Sequence, residues 1–245
     1  VSADRTTLAR YLRQLADLGV RELVLDEMTA QEALAHAAGR RAARPAANVA
    51  APAAPAAAPA ELAAMAAAAA ACTRCRLHET RTNAVFGEGS AGAEVVVIGE
   101  APGQDEDLSG RPFVGRAGRL LDLLLLTAGF PRETVYICNV LKCRPPNNRN
   151  PLADEVSACT TTFLHGQIDA IAPKVLLALG KFAVLALLES EESIGRLRGV
   201  RHTYRGRPLI VTYHPAYLLR SPQMTRAAWQ DFQLLRQVLH EQARS

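Results

Sequence analysis

A carboxylate, an amide and an imidazole stand where short apolar runs end. Glu100 follows EVVVIG (94–99), Asn139 lies near the end of VYICNVLK (135–142), and His214 closes PLIVTYH (208–214). A fourth run, KVLLALG (174–180), ends in Gly180. Buried parallel strands are apolar throughout, and ligands bind at their carboxyl ends, so polar residues gathered there point to a site. A carboxylate in that position orients or deprotonates water, and a histidine donates a hydrogen bond to developing charge. The segment GEAPGQDED (99–107) adds further acids, Glu106 and Asp107, whose plain reading is the first turn of a helix.

The cysteines form a second set. Cys72 and Cys75 make a C-x2-C pair, and Cys143 and Cys159 follow in KCRPPNNRNP and DEVSACTTTFL. A close pair places two thiolates on one metal, and the later two complete a four-thiolate site. Four thiolates suit zinc and an iron–sulfur cluster equally by count, and the spacing does not choose between them. Cys138, inside the apolar run YICNV, reads as a small core residue.

The elements that must position these residues alternate. The four apolar runs are strands, and the stretches 116–129, 151–172, 181–189 and about 224–241 are helical. Strand alternating with helix gives an α/β fold, a three-layer αβα sandwich around a four-stranded parallel sheet. Residues 1–44 read as a helical appendage, with Leu8, Leu12, Leu15 and Leu18 at helical spacing. Residues 45–71, alanine with scattered proline, read as a linker, helical near its end. The catalytic domain is then 72–245. The appendage is either a docking segment for a protein partner or a solubilising tail.

Bulk properties narrow the class. The chain is 49% hydrophobic and 21% charged, with a net charge of +4. Residues 1–71 hold seven Arg and seven acidic residues, so the excess lies entirely in the second part, which is compatible with a phosphate-bearing partner. Residues 1–21 carry charges throughout and lack the core of a signal peptide. The apolar stretch LAAMAAAAAA (62–71) is too short and too weakly hydrophobic to span a bilayer. The expectation is a cytoplasmic monomer whose cysteines bind metal rather than pair as disulfides. The glycine-rich GEGSAG (87–92) precedes its strand, whereas a dinucleotide fingerprint follows one, and no Walker-type lysine motif is present.

Four segments, read together, carry a resemblance: the C-x2-C opening, GEAPGQDEDLSGRPFVGRAGRLLD, NVLKCRPPNNRNP and HPAYLLR. In this order and spacing they resemble the family 4 uracil-DNA glycosylases, the bacterial and archaeal iron–sulfur type, over about residues 72–240. The resemblance implies a 4Fe-4S cluster on Cys72, Cys75, Cys143 and Cys159, and uracil-containing DNA as substrate. It implies that Phe113 stacks on the flipped base, that Asn139 reads the base edge, and that His214 donates to uracil O2. Glu100 would stabilise the cationic sugar and position the attacking water. The backbone N–H groups of Ala101 and Gly103 would contact the base, and Glu106 would line the pocket and help exclude the thymine methyl. Arg144, Arg149 and Arg220, with Asn147 and Asn148, are candidates for phosphate contacts, and Leu218 or Leu219 for the wedge that fills the vacated stack. The loop after Asn139 lacks the extra basic histidine-bearing insertion of the relatives that cross-link to abasic DNA, so a turnover enzyme is expected. The competing expectation is a cluster-bearing module that binds DNA or joins a polymerase without chemistry.

Overall fold

The computed structural model describes residues 58–243, all within the second of the chain's two units, Ala51–Ser245. The expected helices of 1–44 and the first part of the linker lie outside the described residues.

The four expected strands form, slightly trimmed, as β2 (Val95–Gly99), β3 (Tyr136–Asn139), β4 (Val175–Leu179) and β6 (Arg207–Thr212). They run parallel in the order β3-β2-β4-β6. Two antiparallel edge strands extend the sheet to six: β1 (Glu88–Gly89) beside β3, and β5 (Arg201–Tyr204) beside β6. Neither edge strand has an apolar run to announce it. The first is two residues long, and the second, RHTY, is mostly solvent-facing. Arg205 and Gly206, both at positive φ, close the β5–β6 hairpin, the backbone a tight right-twisted turn requires.

Every residue of β2 and β4 is buried, as a sheet covered on both faces demands. Alternation divides them. Val96, Ile98, Leu176 and Ala178 pack into one core with Leu164, Ile168 and Val184. Val95, Val97, Leu177 and Leu179 pack into the other with Leu121, Leu125, Phe232 and Leu235. The second layer is built by α3 (Arg116–Thr127) and the last helix, α9 (Thr225–Gln242). The first is built by α6 (Lys181–Leu188) and by one continuous rod. That rod is α4 (Ala153–Cys159), a π turn over Thr160–Leu164, and α5 (His165–Ile171).

The linker is helical near its end, as expected, and that helix packs against the rest of the fold. This helix, α1, is Ala58–Ala70: Ala58, Leu62 and Ala69 are buried, and Met65 and Ala66 pack on the first core. The proline run that blocks a helix ends at Pro59, inside the first turn where proline is tolerated, and alanine is the strongest helix former. Gly166 on α5 admits it, because a Cβ there would lie 2.8 Å from Met65 Sδ.

The chain leaves β2 for β3 on one side and later reaches β4 on the other. The crevice beyond Gly99 is therefore the topological switch point of the sheet, where open α/β folds bind ligands. No described helix is long and apolar enough to cross a membrane.

Candidate active site

At that crevice lies a cavity of about 430 Å³, lined by Glu100, Ala101, Gly103, Glu106, Phe113, Asn139, Arg149, His214 and Arg220 among others. Ten of the expected active-site and DNA-contact positions, Asn148 included, thus share one cavity. Arg144 lies outside it, its Nε donating to Asn148 Oδ1 at 2.7 Å.

Register brings the parts together. Gly99 pairs with Asn139, the last residue of each strand. A Cβ at Gly99 would collide with Asn139 Oδ1 and with the Phe113 ring, so the bare glycine leaves the space between amide and ring. Asn139 is buried, and its Oδ1 has no partner. A buried carbonyl oxygen without a donor is rare and costly, and here it borders a cavity of ligand size. Lys142, also buried, donates from Nζ to the Asn139 main-chain oxygen at 2.6 Å and fixes that peptide from behind.

His214 caps α8 (Pro215–Arg220), with Pro215 in the first turn. Its Nδ1 accepts from the Ala216 N–H at 3.2 Å, which leaves the proton on Nε2 as the donor. Burial, helped by the Arg220 charge, pushes its pKa down to about 4, so the ring is neutral at physiological pH. Its ring lies 5.7 Å from that of Phe113, tilted by 32°. Burial acts oppositely on Glu100 and raises its pKa to about 7, a range suited to proton transfer.

Other residues around the cavity are engaged by further partners. Both oxygens of Glu106 are engaged by backbone: Oε2 accepts from Gly103 N at 3.1 Å, and Oε1 from Val114 N at 2.9 Å and Gly115 N at 2.8 Å. Glu106 thus staples the Glu100 loop to the Phe113 loop. The Gly103 N–H it holds is not free for a base. Asp107 orients the chain further out, accepting from Thr82 N and Asn83 N. Arg149 forms a two-point pair with the buried Glu155, at 2.6 and 2.9 Å, so its guanidinium is committed to anchoring α4. Leu218 is core, 1% exposed, and so cannot be the wedge. Tyr217, in contrast, went unpredicted: it lines the cavity and its ring packs 5.2 Å from that of Tyr213. The signal was present as two aromatics four residues apart, either side of His214.

The four cysteines share the first core with α1. Cys143 and Cys159 are buried, and Cys72 and Cys75 pack against the same core. The Cys143 thiol is raised by burial, held back by Arg81, whose Nη1 donates to its Sγ at 3.1 Å, and raised again by Cys75 and Cys72. Burial pushes Cys159 up to about 11; Lys142 opposes this, and Cys143 and Cys75 add to it. The sulfurs are close enough to feel one another's charge. Among the described residues no three His, Cys, Asp or Glu side chains converge on a single-ion site. Four thiols on one core, with the Arg81 guanidinium donating to the Cys143 sulfur, are a donor set of the kind that holds a thiolate-bound metal centre. Cys138 is buried in β3, as expected of a core residue.

The family model of the uracil DNA glycosylase superfamily matches residues 86–233. A type-4 uracil-DNA glycosylase of Thermotoga maritima is 48% identical over 166 residues, spanning 66% of this chain and 86% of that protein. One of Archaeoglobus fulgidus is 47% identical over 169 residues, spanning 66% of this chain and 84% of that protein.

The chain belongs to the type-4 uracil-DNA glycosylases.

The family match covers the cavity residues from Glu100 to Arg220, while Cys72 and Cys75 precede it. A DNA polymerase of Bacillus phage SP01 also matches, 27% identical over 164 residues, but the similarity spans only 18% of that polymerase.

Proposed function

We propose that this chain removes uracil from DNA, hydrolysing the bond between uracil N1 and deoxyribose C1′ and leaving an abasic site for repair. The observation that carries the proposal is the meeting of four groups in one cavity at the sheet's switch point. They are the unpartnered Asn139 Oδ1, the Nε2–H of a neutral His214, the Phe113 ring and the Glu100 carboxyl. The type-4 relatives support it.

The base leaves the stack at a cost of a few kcal/mol and enters the cavity. Phe113 stacks on it. Asn139 Oδ1 accepts from uracil N3–H and its amide donates to O4. Cytosine offers the opposite pattern and would leave buried groups unpaired, which supports discrimination of about 10⁴-fold or more. As the N1–C1′ bond breaks, the electron pair goes to uracil and positive charge builds on the sugar. His214 donates from Nε2 to O2, where the negative charge collects; one such donor is worth about 3 kcal/mol. Because the ring is neutral, it stabilises the anion without first giving up a proton. Glu100, as carboxylate, stabilises the cationic sugar and takes the proton from the water that adds to C1′. Arg220 at the cavity mouth and Arg144 on the adjoining loop are proposed phosphate contacts.

Cys72, Cys75, Cys143 and Cys159 would hold a 4Fe-4S cluster. Bound there, it would supply structure, tying Cys72 and Cys75 to the loop after β3 and to α4. The proposed place of action is the cytoplasm, with the DNA.

The test is single-turnover excision from oligonucleotides with uracil opposite G or A, wild type beside His214→Ala and Phe113→Ala. Loss of about 100-fold with His214→Ala supports the reading. The phage polymerase match gives the second reading, a polymerase-associated module, its sole support. Cluster-loaded wild type that binds DNA and releases no uracil would establish that reading instead.

A further inference from the structure

We propose that Arg132 is a positioning residue for this reaction: its guanidinium holds the Pro112–Phe113 backbone so that the Phe113 ring becomes the wall on which uracil stacks. The inference rests on the stacking role assigned to Phe113 above.

Phe113 has φ +52, the left-handed region that bulky side chains avoid. Something must hold it there. Glu106 fixes the following residues through Val114 N and Gly115 N. Arg132 fixes the carbonyls: Nη2 donates to Pro112 O at 2.6 Å, and Nη1 to Phe113 O at 3.2 Å. The remaining donors are also engaged. Nε and Nη2 reach Glu88 Oε1 at 3.0 and 2.6 Å, and Nη1 reaches Asp122 Oδ1 at 2.6 Å. All five N–H groups of the guanidinium are therefore in use. They join the edge strand β1, helix α3 and the turn before β3 to the stacking loop. Arg111 grips the other oxygen of Glu88 at 2.8 Å. Burial works to raise the Glu88 carboxyl, yet the two arginines hold it below its ordinary value, so Arg132 docks on a fixed anion. From beneath, Gly118 lets α3 pass against the loop, since a Cβ there would overlap the Phe113 carbonyl.

The ring that results faces His214 and the gap left by Gly99. In an ordinary right-handed or extended backbone its direction would change. A lysine at 132 keeps the charge but presents three donors from one point, and cannot span two carboxylates and two carbonyls.

The experiment is a double-mutant cycle on kcat/KM for uracil excision, with Arg132→Lys placed in wild type, in Phe113→Ala and in Asn139→Ala. Arg132→Lys should cost about ten-fold in wild type and again in Asn139→Ala, because it releases a strained residue. In Phe113→Ala, where no ring remains to be placed, it should cost less than about two-fold. Binding to abasic DNA should not change. An equal loss in the Phe113→Ala background, or no loss in wild type, overturns the proposal. If Arg132→Lys does not fold, Asp122→Asn loosens the same fork and is read in the same cycle. A Phe113→Ala variant as active as wild type would overturn the stacking role itself, and this inference with it. A damaged Phe113→Ala with an additive Arg132→Lys overturns this inference alone.

Discussion

Replacing Glu100 by glutamine should stabilise the protein above neutral pH and disable it. Burial holds the Glu100 carboxyl at about 7 in the folded chain, against 4.5 when unfolded. Between those values the folded chain keeps a proton that the unfolded chain has lost. Stability therefore falls as pH rises across that window and levels off above it. At about 1.4 kcal/mol per pH unit, the full displacement is worth about 3 kcal/mol, an upper bound because the site is partly open to solvent. Glutamine fits the same space without a charge to desolvate. Glu100→Gln should thus gain up to about 3 kcal/mol over wild type at pH 8, a rise of roughly 5–10 °C in Tm for a domain of this size, and almost nothing at pH 4.5. Thermal melts followed by circular dichroism at the two pH values measure it. Excision by the same variant should fall by about 10²–10⁴-fold. A gain equal at both pH values would show that packing, not charge, sets the difference. No gain at pH 8, or an undiminished rate, would refute the reasoning outright.

Further outcomes follow from the same geometry. In wild type, kcat/KM should rise with pH to a plateau above about 7, and Glu100→Gln should lose that limb; His214, held at about 4, should add no inflection near 6.5. Nitrogen NMR of labelled His214 should show the Nε2–H tautomer throughout pH 5–8. Asn139→Ala should lose roughly 10–100-fold in uracil excision, the worth of a buried hydrogen-bond partner, measured under single turnover. Gly99→Ala should abolish excision in a folded protein, because the added methyl collides with the Phe113 ring and the Asn139 amide. Cys143→Ala and Cys159→Ala should each lose visible absorbance and iron and melt earlier, while Cys138→Ala keeps its iron.

The strands and helices that carry the site were legible because each is apolar at its own period. The run EVVVIG, short and rich in valine, reads as a buried strand, and Glu100 stands at its end. The alanine helix α1 was not legible as part of the domain. Alanine and proline describe a linker equally well, and the packing of Met65 depends on a glycine more than 100 residues away. Edge strands β1 and β5 are too short and too polar to leave a pattern. Within the site, residue types pointed to Glu100, Asn139 and His214, but the partners decide roles. Arg149 looks like a free cation until Glu155 is seen paired with it, and Glu106, which lines the cavity, also holds three backbone N–H groups that its residue type does not announce. Arg132 gave no signal at all, since its role lies in the backbone carbonyls it meets.

The central claim is hydrolytic release of uracil, and its most direct measurement is product analysis in water enriched in ¹⁸O. Cluster-loaded wild type is incubated with uracil-containing DNA, and the products are weighed by mass spectrometry. The account predicts free uracil, and an abasic deoxyribose carrying one ¹⁸O at C1′ when examined before exchange. Uracil that stays attached, DNA linked to the protein, or strand breakage without free base would contradict it.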